Sequence, residues 1–527
     1  DVNGDGFDDV AVGSFRPGLS LFVATHVLFG RNATVYPELA SGSLPVGTGY
    51  TISNDVGGQY RTSRAGDFNN DGFADFMLSS AQGTVLVVFG HNYSDPFPSW
   101  LLSSFQTSAE TGFKISGAAI ALLFPNSAGD LNGDGIDDIA VTSTAEYTAF
   151  VLFGHTRAAP FPDIRLDGTF IQLTRGFRVI GLPQTAFGVV LSTAGDFNSD
   201  GVADLLVTAY TASTFGQYRS GAAYVVFGMV ESPTASPSAT PTVVPTLKPT
   251  ALPTLPPVTT VFADYPLSQL YDGAKPTGFA IFGASSASSI GRTVASGDVN
   301  GDGLPDILVS APDTNAGAGV VFVIFGRNES FPHENIDLAN FTSAQGVIFS
   351  GSVSNSMVGT SVSIAGDVNQ DGIVDILIAC SNMNNGGGVA YVIYGSRTLQ
   401  SRVLSDSAPP LPSEGFRILR PYNSDGSMLT QVQAAGDFNG DFVVVFVGEI
   451  APGRPLRGLF AGVPGLLVAA WPGLAARLAL RLEVLLAGVL ALPVAVFLEG
   501  VEGLDGNSSS RTGSAGGMYP AGCSQLD

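Results

Sequence analysis

The stretch Gly195-Asp196-Phe197-Asn198-Ser199-Asp200-Gly201-Val202-Ala203-Asp204, followed by Leu205-Leu206-Val207, has the pattern D-x-N-x-D-G-x-x-D leading into an apolar strand. Side-chain oxygens at positions 1, 3, 5 and 9, with the backbone carbonyl of position 7, are the donors a hard cation such as Ca²⁺ takes. Glycine at position 6 permits the sharp turn that folds those oxygens inward, because it tolerates positive φ.

Six copies of this pattern occur. Their expected ligands are Asp1, Asn3, Asp5, Phe7 and Asp9; Asp67, Asn69, Asp71, Phe73 and Asp75; Asp130, Asn132, Asp134, Ile136 and Asp138. The remaining sets are Asp196, Asn198, Asp200, Val202 and Asp204; Asp298, Asn300, Asp302, Leu304 and Asp306; and Asp367, Asn369, Asp371, Ile373 and Asp375. Position 7 enters each set through its carbonyl. One Asp-Asn-Gly cluster alone reads as an ordinary turn, but six copies with oxygens at fixed offsets read as about six Ca²⁺ sites. An EF-hand needs Glu at position 12 inside a helix. Here position 12 is Val12, Leu78, Val141, Val207, Val309 or Ile378, so the loop enters a strand and is no EF-hand.

Composition agrees with a turn-rich β protein: 66 Gly and 32 Pro in 527 residues, 45% hydrophobic and only 13% charged. The net charge of −22 argues against a nucleic-acid partner. Most of it has a local source, because each loop carries three Asp at ligand positions and six divalent ions would offset twelve charges. Two cysteines, Cys380 and Cys523, make no disulfide framework. Sequons at Asn32, Asn92, Asn328, Asn340 and Asn507 favour a secretory route, extracellular or at the cell surface, where millimolar Ca²⁺ fills weak sites.

Successive loops lie 66, 63, 66, 102, 69 and 70 residues apart, the last interval ending at a degraded seventh copy. Each repeat opens with a pair such as Gly176-Phe177 or Gly278-Phe279 and passes through Ala-Gly-Asp into the loop. It closes on Phe29-Gly30, Phe89-Gly90, Phe153-Gly154, Phe227-Gly228, Phe325-Gly326 or Tyr394-Gly395. About four short strands per repeat predict an all-β propeller of four-stranded blades, six clear repeats and a truncated seventh, with cation-binding hairpin loops. A solenoid competes, though its repeats are usually shorter.

The cation pattern within repeats that carry Phe-Gly resembles the FG-GAP repeats of integrin α-subunit propellers and their relatives, over residues 1–441. Ser310-Ala311-Pro312 is similar to the family's GAP element, whereas Val12-Gly13-Ser14 and Thr208-Ala209-Tyr210 depart from it. The resemblance implies a propeller, usually seven-bladed, with calcium loops between a blade's first two strands. It also implies ligand binding by loops on the opposite face.

Residues 232–258 form a Pro/Thr/Ser tract, read as a solvated loop that interrupts a blade of one propeller; the alternative, a linker between two separate arrays, would leave each with an incomplete blade. In the seventh copy Phe442 replaces the glycine and Val445 the last Asp, so no calcium is expected there. Residues 442–527 read as a separate tail. From 451 to 500 it lacks Ser, Thr, Asn, Asp, Lys, Gln, His and Ile, as a shifted frame or retained intron would produce. A membrane anchor at 459–476 is the alternative, though Pro464 and Pro472 interrupt it. The chain opens inside a repeat, which reads as a fragment of something longer.

Catalysis has little to work with. His26, His91, His155 and His333 form no zinc motif, no G-x-S-x-G elbow or P-loop occurs, and His91 and His155 read as exposed turn residues. The part seen is therefore expected to be non-enzymatic. Two functions remain: an adhesion or recognition module for an extracellular protein or glycan, or the accessory propeller of a secreted hydrolase such as a glycosylphosphatidylinositol-specific phospholipase D. For the first, the candidate surface is the loops 210–219, 313–319 and 381–388.

Overall fold

The computed structural model describes residues 1–470 except 17–20, 31–43, 45–46, 56–59, 81–82, 93–98, 118–122, 157–160, 167–175, 230–263, 268–269, 271–276, 329–333, 385–386, 420–428, 435–443, 450–458 and 464–465. The Pro/Thr tract and residues 471–527 of the tail thus lie outside the described residues.

Alternating turn chemistry and apolar runs give seven sheets, six of them built on one plan. In a representative blade, Leu123–Gly129 pairs with Asp138–Ser143, that with Thr148–Leu152, and that with Gly176–Ile180, all antiparallel. The cation loop is the hairpin between the first two strands. The first sheet begins at the second strand, Val10–Arg16, and has no preceding partner among the described residues. In five blades the second strand is buried at all six positions, as in Asp204–Ala209, because a sheet packs on each face. The apolar clusters lie between consecutive sheets: Phe153, Phe177 and Val179 of one blade meet Phe187, Leu205 and Tyr224 of the next. This face-to-face stacking, with first strands following one another side by side, is the architecture of a β-propeller.

The Ala-Gly-Asp signature has a steric reason. Ala65, Ala128, Ala194 and Ala365 are wholly buried, and the glycine after each sits at a bulge where the ladder slips before the loop.

Four strands per blade is an incomplete description. A short fifth segment from the next repeat lies parallel along the outer edge of five sheets, as Ile164–Leu166 does on Gly112–Gly117 and Arg402–Leu404 on Gly346–Gly351. It comes from the connection between the third and fourth strands of the next blade, so each blade clasps its predecessor and caps an open edge. The strands flanking residues 230–263, Ala222–Val226 and Gly278–Phe282, pair with each other. On the return path Tyr265–Pro266 clasps Gly176–Ile180, and Asp264 accepts two hydrogen bonds from Arg178 (2.9 and 2.5 Å).

The seventh sheet departs from the plan. Leu429–Ala434 pairs with Val444–Glu449, which takes Leu466–Ala470 as a parallel neighbour, with Leu459–Val463 outermost. The last repeat's first strand thus pairs, over its described residues, within its own sheet. Among the described residues no helix is long and apolar enough to cross a membrane.

Candidate metal centres

All six loops share one hydrogen-bond scheme. The position-1 carboxylate accepts from the N–H of positions 5 and 6, as Asp196 does from Asp200 (2.9 Å) and Gly201 (2.9 Å). Where position 4 is glycine, its N–H joins them, as Gly133 donates to Asp130 (2.7 Å). The position-3 amide donates Nδ2 to the position-5 carboxylate at 2.8–3.1 Å, and its Oδ1 accepts from the position-5 N–H. Position 5 in turn accepts from the N–H of position 7, that is Phe7, Phe73, Ile136, Val202, Leu304 or Ile373. The position-6 glycines have φ of +83° to +91° with open space where a Cβ would lie, so conformation and not crowding requires glycine there.

Position 9 does something the sequence does not announce. Asp75, Asp138, Asp204, Asp306 and Asp375 are buried. One oxygen accepts from the N–H of position 2 and the other from the glycine of Phe-Gly or Tyr-Gly. For Asp204 these are Phe197 (2.9 Å) and Gly228 (2.9 Å); for Asp138, Leu131 (2.8 Å) and Gly154 (2.9 Å). Asp9 makes the same bonds to Val2 and Gly30. The carboxylate thus ties the start of its loop to the end of the third strand. A Cβ on Gly90, Gly154, Gly228, Gly326 or Gly395 would come within 2.2–2.5 Å of the position-8 carbonyl oxygen, which explains the glycine of the Phe-Gly signature.

The loops are also linked between blades. His91 N–H donates to the Val2 carbonyl, His155 to Phe68, Met229 to Leu131 and Ser396 to Val299. Ala203 N–H reaches the Asp130 carbonyl, and Asp137 accepts from the N–H of Asp67 (2.9 Å). His91 and His155 are therefore not exposed turn residues. Both are half-buried, and the His155 ring stacks on Phe161 with centroids 3.9 Å apart.

The fit to a hard divalent cation rests on the donor set. Positions 1 and 5 are half-buried or exposed carboxylates on the loop rim, beside an amide oxygen at position 3. A carboxylate oxygen that accepts one N–H keeps a lone pair for an ion. Burial pushes Asp138 and Asp204 up to about 8, Asp306 to about 7 and Asp9 and Asp375 to about 6. Backbone hydrogen bonds oppose that rise, and loop carboxylates nearby add to it. A bound cation would relieve this crowding of negative charge. Yet among the described residues no three Asp, Glu, His or Cys side chains gather around one point as ligands. The loop oxygens face their own backbone N–H groups, and position 9 turns into the blade.

At the opposite ends of the strands lie loops 210–219, 313–319 and the described part of 381–388. Cys380 is a buried free thiol.

Stacked four-stranded sheets, each with an Asp-rich hairpin tied to a Phe-Gly strand end, define a repeat β-propeller. The family model described as "FG-GAP repeat" matches three stretches of the chain, residues 126–156, 187–226 and 290–324. The chain is similar to phosphatidylinositol-glycan-specific phospholipase D of Homo sapiens, 25% identical over 229 residues, 41% of this chain and 22% of that protein. The rat protein of the same name is 30% identical over 172 residues, 31% of this chain and 19% of its own length. Integrin alpha pat-2 of Caenorhabditis briggsae is 28% identical over 256 residues, 47% of this chain and 17% of that protein. The chain thus spans about a fifth of the length of each of these relatives.

Proposed function

We propose that the chain is a calcium-stapled recognition module that works outside the cell, binding an extracellular protein or glycan through the propeller and performing no catalysis itself. The observation that carries this reading is the six-fold recurrence of one loop, with the same oxygens at the same offsets and the same hydrogen bonds. Calcium at positions 1, 3, 5 and 7, with charge support from position 9, would hold each hairpin against the repulsion of its carboxylates. Asn92, Asn328 and Asn340, the sequon residues whose surroundings are described, are all exposed, as glycosylation requires. The test is adhesion of cells to a surface coated with the secreted chain. Attachment in calcium that a chelator releases supports the reading, and attachment indifferent to calcium, or none, contradicts it.

A second reading draws on the phospholipase D matches. In it the propeller is an accessory domain that presents substrate to a hydrolase domain. Hydrolysis of glycosylphosphatidylinositol anchors by a longer natural form, and not by this chain, would favour it.

A further inference from the structure

The segments 181–186, 210–221 and 283–293 join strands at the ends away from the cation loops, and hydrogen bonds knit them into one platform. Ala287 N–H donates to the Tyr218 carbonyl (2.7 Å) and Ile290 N–H to that of Ser220 (3.0 Å). Thr211 N–H reaches the Thr185 carbonyl (3.3 Å), and the Ser286 hydroxyl donates to Gln217 Oε1 (2.6 Å). On this platform Phe215 and Tyr218 are 71% and 68% exposed, and Leu182 is 48% exposed. Phe215 has φ +50°, a conformation that bulky residues avoid, and Arg219 has φ +50° as well. Strain of this kind persists where the surrounding structure enforces it, and it collects at binding sites. The Phe215 ring meets Phe282 edge-on, centroids 4.9 Å apart, which sets its direction while leaving most of it in water. Arg292 lies over the Tyr210 ring at 5.4 Å. The three segments contain two arginines and no Asp or Glu, within a chain of net charge −22.

We propose that this patch docks an acidic segment of a partner protein, with Phe215 and Tyr218 as apolar anchors and Arg219 as the carboxylate partner. Aromatic and arginine side chains carry most of the binding energy at protein interfaces. Loops rich in Tyr, Ser and Gly have the composition of surfaces that read proteins. Local positive charge on an acidic molecule selects an anionic partner and repels copies of the chain itself. The proposal rests on the recognition reading above and names the partner chemistry for it.

The test pans a phage-displayed library of random peptides against the full chain. Peptides rich in Asp and Glu that also carry an apolar anchor should be selected. Their affinity should fall roughly tenfold or more in Tyr218→Ala and in Arg219→Ala, weaken as salt is raised, and stay unchanged in Leu411→Ala, an exposed residue outside the patch. Phe215→Gly separates binding from folding: glycine accepts the positive φ, so thermal stability should hold while binding is lost. Selection of neutral or basic peptides, binding that survives all three patch substitutions, or binding of heparin with no peptide selected would overturn the proposal. A chain that binds calcium but selects no peptide at the patch refutes this docking and leaves the calcium reading intact. A chain that selects acidic peptides without binding calcium does the reverse.

Discussion

At the residue scale, position 9 of each loop separates two jobs that the motif runs together. Asp204 is buried with both oxygens on backbone N–H groups, whereas Asp200 lies on the rim against Asn198 and the Val202 N–H. Asp204→Ala should therefore destabilise the chain in calcium and in chelator alike, by about 1–3 kcal/mol for each buried N–H left unpaired. Asp200→Ala should cost markedly more in calcium than in chelator. Equal losses for Asp200→Ala under both conditions, measured by denaturant unfolding, would remove it from the ligand set. Glycines separate in the same way. Gly154→Ala forces a Cβ to 2.3 Å from the Asp137 carbonyl oxygen and should cost about 1–3 kcal/mol or more through overpacking. In Ser199, φ is +62° where the first, third and fifth loops carry glycine, so Ser199→Gly should raise stability by up to about 1 kcal/mol. The motif made the loop legible, but the glycine partner of position 9 lies 15 residues away in sequence for Asp75 and 24 for Asp204, beyond what local spacing reveals.

At the element scale, the four main strands were readable because their patterns are strong. Asp-Leu-Leu-Val-Thr-Ala is apolar enough to be buried throughout, and Gly-Phe openings and Phe-Gly endings bound the outer strands. The clasps were not readable. Trp100–Leu101, Tyr265–Pro266 and Ile336–Asp337 are two residues long, too short to show alternation, and their partners belong to the preceding repeat. The Arg178–Asp264 pair anchors one clasp, with both side chains about 30% exposed. Hydrogen bonding to Asp264 raises the affinity of Arg178 for its proton, and the same bond lowers the Asp264 pKa. A pair this exposed contributes about 0.5–1 kcal/mol. Asp264→Ala should thus lower the melting temperature only slightly, yet speed amide exchange at Val179 and Ile180, where the clasp pairs. Unchanged exchange there would show that the clasp holds without its ion pair.

At the scale of the whole molecule, the blades form a chain of dependence. The second position of one loop accepts from the residue after the Phe-Gly of the next blade, as Leu131 does from Met229 and Val299 from Ser396. Loosening the loop at Asp196 should therefore raise hydrogen exchange in the loop at Asp130 as well, since Ala203 and Met229 donate to its carbonyls. Repeat periodicity exposed the propeller, while this coupling is carried by backbone groups that no side-chain pattern encodes.

In the proposed reading, calcium in six loops staples the propeller. The most direct measurement is bound Ca²⁺ per full chain, with the melting temperature recorded in calcium and in chelator. A calcium-stapled propeller should bind about six ions and show a large fall in melting temperature on chelation. One ion or none, with stability unchanged, would contradict it and leave the six Asp-Gly loops as turns closed by their own hydrogen bonds.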